Sequence, residues 1–281
     1  MREGTAPSHL RFAVTIAGIG PVLLALAPLQ LVALGLARIG STRALAVAAF
    51  LPMAFHRILL AIAGIHVARH GRLATDRPLL IVANHVTWLD IVVVGSVAPL
   101  SFVAKDEMAS WPVFGWLARM QRTIFIARDR KRSVAEQAKE IARRLTAGEA
   151  IVLFPEGTTS DGHDLLPFKS ALFEAVRFAL VESGVEHGTV QPLAIDYHAQ
   201  GGLPLGRAER SRVAWPGEIG LGESLIETFG RGALDVALRF GAPITLTPDS
   251  HRKAISAAAF DAIRALLSRQ VARVDLNPAS D

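Results

Sequence analysis

Two long apolar stretches open the chain, and short apolar runs separated by polar segments follow them. The first stretch, residues 12–37, contains no Asp, Glu, Lys or Arg, and it exceeds the roughly 20 residues that a helix needs to cross a bilayer. The second, residues 44–68, is broken by His56 and Arg57. This pattern predicts an N-terminal membrane-embedded helical segment over residues 1–75.

The form of the membrane segment has two interpretations. Pro21 and Pro28 lie within the first stretch, so a proline-bent hairpin could enter one leaflet and return to the same side. A simple spanning helix is the alternative, and arginines on both sides of the stretch leave its orientation open. A cleaved signal peptide fits less well, because signal cores have about 7–15 apolar residues.

The remainder, residues 76–281, has the pattern of an α/β domain. Its apolar runs are mostly continuous, as in strands that are covered on both faces. The predicted strands are 79–83, 101–104, 123–127, 150–154, 190–197, 213–215 and 234–240. Predicted helices cover 134–147, 170–183 and 254–274, the first starting at a capping box of Ser133 and Glu136. Strands alternating with helices predict a mixed, mostly parallel sheet flanked by helices.

The basic surplus of the chain lies in its apolar part. Residues 1–75 contain seven arginines and one acidic residue, whereas the remainder is nearly neutral. Arginines beside apolar sequence favour an anionic membrane surface, and they make nucleic acid a weaker candidate partner. The chain has no cysteine, which excludes disulfides, thiolate metal sites and a cysteine nucleophile.

Two polar clusters follow predicted strands at the point where α/β sheets place their sites. The first, NHVTWLD, contains His85 and Asp90. A carboxylate on one imidazole nitrogen fixes the tautomer, so that the other nitrogen can take a proton from a hydroxyl. Five residues of helix turn about 500°, so this pairing requires an irregular turn. The alternative interpretation is an ordinary turn with a capping residue.

The second cluster, PEGTTSDG, follows the strand at 150–154. Glu156 stands directly past the strand, and Gly157 allows close backbone approach to a ligand. Thr158 and Thr159 add two hydroxyls. Without the first cluster, a solvated strand-to-loop turn would be the favoured interpretation.

Together the two clusters resemble the motifs NHxxxxD and FPEGT of the 1-acylglycerol-3-phosphate acyltransferase family. Further segments similar to that family are 102–116, 123–129, 166–173 and 190–195. The resemblance implies a glycerolipid-acyltransferase fold and transfer of an acyl group from acyl-ACP or acyl-CoA to a lysolipid hydroxyl, in phospholipid biosynthesis. It implies no cofactor and no metal, and a location on the cytoplasmic side of a bacterial inner membrane.

The resemblance also implies roles for individual residues. His85 would be the general base and Asp90 would orient it, with direct attack on the thioester and no acyl-enzyme. That agrees with the absence of a GxSxG nucleophile motif. The implied substrate-binding residues are Glu156, Gly157, Thr158, Thr159, Lys105, Arg122, Arg128 and Lys169.

One position departs from the family motif, which ends in Thr-Arg-Ser. Thr159 occupies the place of an arginine that grips the glycerol phosphate, and threonine cannot supply a charge-assisted bidentate clamp. Either another base such as Arg122 compensates, or the acceptor lacks a phosphomonoester. We therefore expect 1-acyl-sn-glycerol-3-phosphate as acceptor, with lyso-ornithine lipid as the alternative, because FPEGTTSDG, 215–221 and 232–241 resemble the lyso-ornithine lipid acyltransferase branch.

Competing classes find less support in the sequence. A thioester hydrolase could use the same His/Asp pair with water as acceptor, and a membrane-tethered binding protein would use neither residue. Gly18 and Gly20 lie in the first apolar stretch, and no predicted strand precedes them. This argues against a dinucleotide-binding motif. His163 lacks partners at metal-ligand spacing.

Overall fold

The computed structural model describes residues 6–126, 131–216 and 220–274. The helices are α1 (His9–Arg38), α2 (Thr42–Ala63), α3 (Leu89–Gly95), α4 (Phe114–Met120), α5 (Lys131–Thr146), α6 (Glu174–Ser183), α7 (Arg207–Val213), α8 (Leu221–Arg231) and α9 (Arg252–Val274). The strands are β1 (His66–His70), β2 (Leu79–Ala83), β3 (Ser101–Lys105), β4 (Ile124–Ile126), β5 (Ala150–Leu153), β6 (Gly188–Gln200), β7 (Leu203–Pro204), β8 (Leu234–Phe240) and β9 (Ile244–Leu246).

The sheet is mixed and mostly parallel, which confirms the predicted fold class. Its strand order is β1-β8-β6-β2-β5-β3-β4, with β7 and β9 also paired to β6. The central strand β2 runs parallel to both β5 and β6, and β6 runs antiparallel to β8. Helices α2, α3 and α8 cover one face, and α5, α6 and α9 cover the other. All five residues of β2 are therefore buried, as its continuous apolar run requires.

Two local predictions were wrong, and one strand was not predicted. The run 213–215 is not a strand, because Val213 ends α7 and the following residues pack into the core as irregular chain. Helix α5 begins at Lys131, so Ser133 lies inside it and not at its N-cap. Strand β1, within the predicted N-terminal segment, pairs with β8; its mostly exposed residues follow an apolar run and give no strand signal of their own.

The N-terminal segment forms a hairpin of two helices, with the turn between the apolar stretches and not at a proline. Helix α1 continues through Pro21 and Pro28. Gly18 lies against Ile62, and Gln30 Nε2 donates to the carbonyl of Ala48 at 2.9 Å, so α1 and α2 are antiparallel. By length and composition both helices could cross a membrane.

Candidate active site

His85 lies just past the carboxyl end of β2, where Asn84 fixes the departing chain. The Asn84 amide donates to the carbonyl of Ile195 at 3.0 Å and accepts from its N–H at 2.8 Å. This two-way bond holds the end of β2 against β6. The chain between Asn84 and α3 is thus irregular, and Asp90 stands in the first turn of α3. His85 Nδ1 lies 2.8 Å from Asp90 Oδ2.

The carboxylate of Asp90 is completely buried and surrounded by donors. Oδ2 accepts from the backbone N–H groups of Val86 at 2.7 Å and Thr87 at 3.0 Å, and Oδ1 accepts from the hydroxyl of Tyr197 at 2.6 Å. These bonds compensate the loss of water around a buried anion. Burial, together with the neighbouring Asp90, raises the pKa of Tyr197 well above its ordinary value, so the phenol stays protonated and remains a donor.

The imidazole of His85 is held on its face as well as at Nδ1. It stacks on Phe154 with ring centroids 4.2 Å apart and an interplanar angle of 18°, and Phe154 in turn stacks near Phe102. The side chain of His85 is 19% exposed. With Nδ1 engaged by Asp90, Nε2 is the nitrogen left for a substrate, which is the arrangement that a general base needs.

Glu156 supports the His85 loop from behind. Its Oε1 accepts from the N–H of His85 at 2.7 Å, and its Oε2 accepts from the N–H of Leu166 at 3.1 Å. The residue is only 3% exposed. Burial raises the pKa of Glu156 to about 7, against the two N–H donors, which lower it. Both carboxylate oxygens of Glu156 thus hold backbone N–H groups, one of them that of His85. This geometry favours a structural role beside the histidine over the implied contact with the polar head of the acceptor lipid.

The FPEGT loop, residues 154–160, is held to neighbouring segments by further hydrogen bonds. Gly157 has a φ of 70°, which suits glycine, and the N–H of Ser160 donates to the carbonyl of His85 at 2.8 Å. The Thr159 hydroxyl donates to the carbonyl of Trp215. The N–H of Trp215 itself donates to the carbonyl of Val86 at 2.9 Å. Three separate segments of the chain thus meet around the catalytic dyad that we infer, His85 and Asp90. Thr158 is exposed beside them.

The predicted cationic residues are divided between the two edges of the sheet. Lys105 ends β3 at the carboxyl edge, the same edge as His85. Lys169 is exposed, and its N–H donates to the carbonyl of Pro155 beside the FPEGT loop. Arg128 lies outside the described residues.

Arg122 lies at the opposite edge, which corrects the prediction that it replaces the missing arginine. It pairs with Glu149, which directly precedes β5. Arg144 and Ser101 bind the same carboxylate. Because a five-residue strand such as β2 separates the two edges by roughly 15 Å, Arg122 belongs to a structural ion-pair network.

Sequence reasoning did not find Asn84 or Tyr197 as functional residues. Asn84 belongs to the NHxxxxD motif, and its position at the strand end was the available signal. Tyr197 is the single tyrosine of the chain, and nothing in the sequence marks its bond to Asp90. In the described part of the chain, no group of three or more His, Asp and Glu residues could hold a metal ion.

Comparisons with known proteins identify the family of this chain. The Acyltransferase family model matches residues 64–196. The lyso-ornithine lipid O-acyltransferase of Brucella abortus is 46% identical over 77% of this chain and 81% of its own length, and that of Rhizobium meliloti is 47% identical over 78% and 75%. The 1-acyl-sn-glycerol-3-phosphate acyltransferase of Neisseria gonorrhoeae is 36% identical over 52% and 55%.

One solved structure has a similar fold over nearly the whole chain. It is the 1-acyl-sn-glycerophosphate acyltransferase PlsC from Thermotoga maritima, with a TM-score of 0.59, 20% identity and 96% of each chain covered.

Proposed function

This chain belongs to the acyltransferase family, and we propose that it transfers a fatty acyl group from an acyl thioester to the hydroxyl of lyso-ornithine lipid. The observation that carries the proposal is the dyad: a partly exposed His85 whose Nδ1 is held by the buried carboxylate of Asp90. The dyad stands beside the FPEGT loop, and close relatives with this chemistry in their names cover most of the chain.

The dyad supports direct transfer. His85 Nε2 takes the proton of the acceptor hydroxyl, while Asp90 stabilises the imidazolium through Nδ1–H. The alkoxide attacks the thioester carbonyl, the carbon–sulfur bond breaks, and the leaving thiolate takes the proton back from His85. The donor is acyl-ACP or acyl-CoA, and the reaction needs no covalent acyl-enzyme.

The region around Thr159 favours an acceptor without a phosphomonoester. The Thr159 hydroxyl is already directed to the carbonyl of Trp215, and a threonine offers no charge-assisted clamp for phosphate. Arg122 cannot substitute, because its partner is Glu149 at the other edge of the sheet. Lysophosphatidic acid, which is 1-acyl-sn-glycerol-3-phosphate, remains the second candidate acceptor. A relative named for acylation of that lipid matches half of the chain.

Acyl transfer by the purified, detergent-solubilised protein tests the choice of acceptor. Lyso-ornithine lipid and lysophosphatidic acid are offered separately with the same acyl-ACP or acyl-CoA donor. We expect turnover of lyso-ornithine lipid with much weaker turnover of lysophosphatidic acid. Faster turnover of lysophosphatidic acid would reverse the assignment, and thioester loss without any acceptor would indicate a hydrolase.

The N-terminal hairpin supports membrane association. About half of its large apolar side chains are exposed, including Leu24, Leu31 and Phe50. Because acyl thioesters are made in the cytosol, the enzyme acts on the cytoplasmic face. Accessibility of the turn between α1 and α2, residues 39–41, in sealed vesicles tests this, because α1 and α2 are antiparallel. Access only from the side of the α/β domain supports a hairpin in one leaflet, and access from the other side supports two spanning helices.

A further inference from the structure

The segment Trp111–Trp116, with the sequence WPVFGW, makes a strained turn that exposes apolar side chains. Val113 has φ 62° and ψ −57°, and the N–H of Phe114 donates to the carbonyl of Pro112 at 2.6 Å, which closes a three-residue γ-turn. A β-branched residue rarely adopts this conformation, and such strain persists mainly at functional sites. The turn leaves Val113 59% exposed and Trp116 39% exposed.

This turn, which we call the tryptophan turn, adjoins α1 of the hairpin. Val113 and Trp116 line an open, almost purely apolar groove of about 580 Å³. The α1 residues of the groove are Leu23, Leu24, Ala27, Pro28 and Leu31. Gln30 Nε2 donates to the carbonyl of Met120 at 2.6 Å and thereby fixes α4 to α1 at this level. The apolar surface of the hairpin therefore continues onto the α/β domain.

The length of the hairpin places this groove at the membrane. Gln30, which still contacts the α/β domain, is followed by about eight residues of α1, roughly 12 Å of helix. That is less than half of the roughly 30 Å hydrocarbon core. Arg38 and Arg43 are exposed at the far end, and burying an arginine at the bilayer centre costs about 2.5–3.5 kcal/mol or more. Contact along the side of the hairpin avoids this cost and brings the tryptophan turn to the lipid.

We propose that the tryptophan turn is a second membrane-contacting element, which inserts Val113 and Trp116 into the leaflet beside the hairpin. The partner is the lipid surface of an anionic bilayer, since the surface continues that of the hairpin and the N-terminal segment carries seven arginines against one acid. The inference rests on the membrane association of the proposed function. Trp111 packs edge-on against Trp215, so the turn also links the membrane contact to the loop around His85.

Single-cysteine labelling tests the proposal cleanly, because the chain has no cysteine of its own. An environment-sensitive fluorophore is attached to Val113→Cys and Trp116→Cys in the full-length protein. Leu24→Cys reports the hairpin. Leu203→Cys and Val181→Cys are matched controls, since both positions are exposed and apolar but lie outside the hairpin and the turn. Each variant is bound to phosphatidylcholine vesicles with a minority of phosphatidylglycerol, with and without bromine on the acyl chains.

We expect brominated lipid to quench the probe at positions 113 and 116 about as strongly as at position 24, with no quenching at 203 or 181. Quenching at 24 without quenching at 113 and 116 would overturn the proposal and leave membrane association intact. Absence of quenching at 24 as well would overturn both. Acyl transfer in mixed micelles, measured on the same samples, reports the proposed activity independently.

Substitution gives a second measurement that needs no label. The double variant Val113→Ser, Trp116→Ser should bind vesicles at least about tenfold more weakly, because it removes two apolar side chains from the contact. Its turnover in mixed micelles should stay within about twofold of the wild type. Unchanged vesicle binding would contradict the proposal, and Val181→Ser, on the opposite layer, should change neither quantity.

Discussion

Replacing Tyr197 with phenylalanine removes one hydrogen bond to the catalytic carboxylate and little else. The Tyr197 hydroxyl donates to Asp90 Oδ1 at 2.6 Å, while Oδ2 keeps the N–H groups of Val86 and Thr87 and the imidazole of His85. A hydrogen bond to a charged group contributes about 1.5–3 kcal/mol. Phenylalanine keeps the packing of the buried ring, so any difference in free energy between the two proteins reports the hydrogen bond.

Loss of this hydrogen bond should change two measurable quantities, the free energy of unfolding and kcat. The free energy of unfolding should fall by about 1.5–3 kcal/mol in a denaturant titration. If the bond also holds Asp90 in position for His85, kcat should fall about tenfold, which corresponds to about 1.4 kcal/mol of barrier, with little change in the KM for the acceptor. Ser224→Ala is the matched control, because it removes another buried hydroxyl that accepts from Trp88 Nε1 at 3.0 Å. Equal kcat values for the two variants would refute a positioning role for Tyr197.

Three further substitutions probe the residues around the dyad. The pKa of Glu156 is raised to about 7 from the usual 4.5, so the folded state holds a proton that the unfolded chain releases. Stability should therefore fall as the pH rises from about 4.5 to 7, and Glu156→Gln should flatten this slope in denaturant titrations at several pH values; an unchanged slope would contradict it. Thr159→Arg breaks the hydrogen bond to the carbonyl of Trp215 and should lower the free energy of unfolding by about 1 kcal/mol. It should also raise the turnover of lysophosphatidic acid relative to that of lyso-ornithine lipid. An unchanged ratio of the two turnover rates would mean that position 159 does not determine the acceptor. Arg122→Ala should lower the melting temperature and leave the KM of either acceptor unchanged, whereas a large rise in KM would return Arg122 to the binding site.

The sequence was sufficient where one signal had one meaning. The run 79–83 is wholly apolar, lies between Pro78 and Asn84, and became β2 with the predicted limits. The same kind of signal failed at 213–215, because an irregular segment packed into the core is as apolar as a short strand. Helix α5 already includes Lys131, so the capping box at Ser133 and Glu136 does not mark its start.

The parts of the site that sequence could not predict depend on contacts between distant residues. Arg122 lies close in sequence to the second family block, but only the direction of β4 and β5 shows that it stands at the edge opposite His85. The bond between Tyr197 and Asp90 spans 107 residues. Glu156 carries a charge in the sequence, and its structural role follows only from the two N–H groups that face it.

The general-base role of His85 is tested most directly by acyl transfer to lyso-ornithine lipid by the wild type and His85→Ala, with acceptor binding measured on the same preparations. His163→Ala is the matched control, since His163 lies in the neighbouring loop and contacts Ser211 rather than the dyad. Loss of the base should reduce kcat by about 10²–10⁴-fold and leave acceptor binding nearly unchanged. Activity of His85→Ala within a few-fold of the wild type and of His163→Ala would contradict the mechanism.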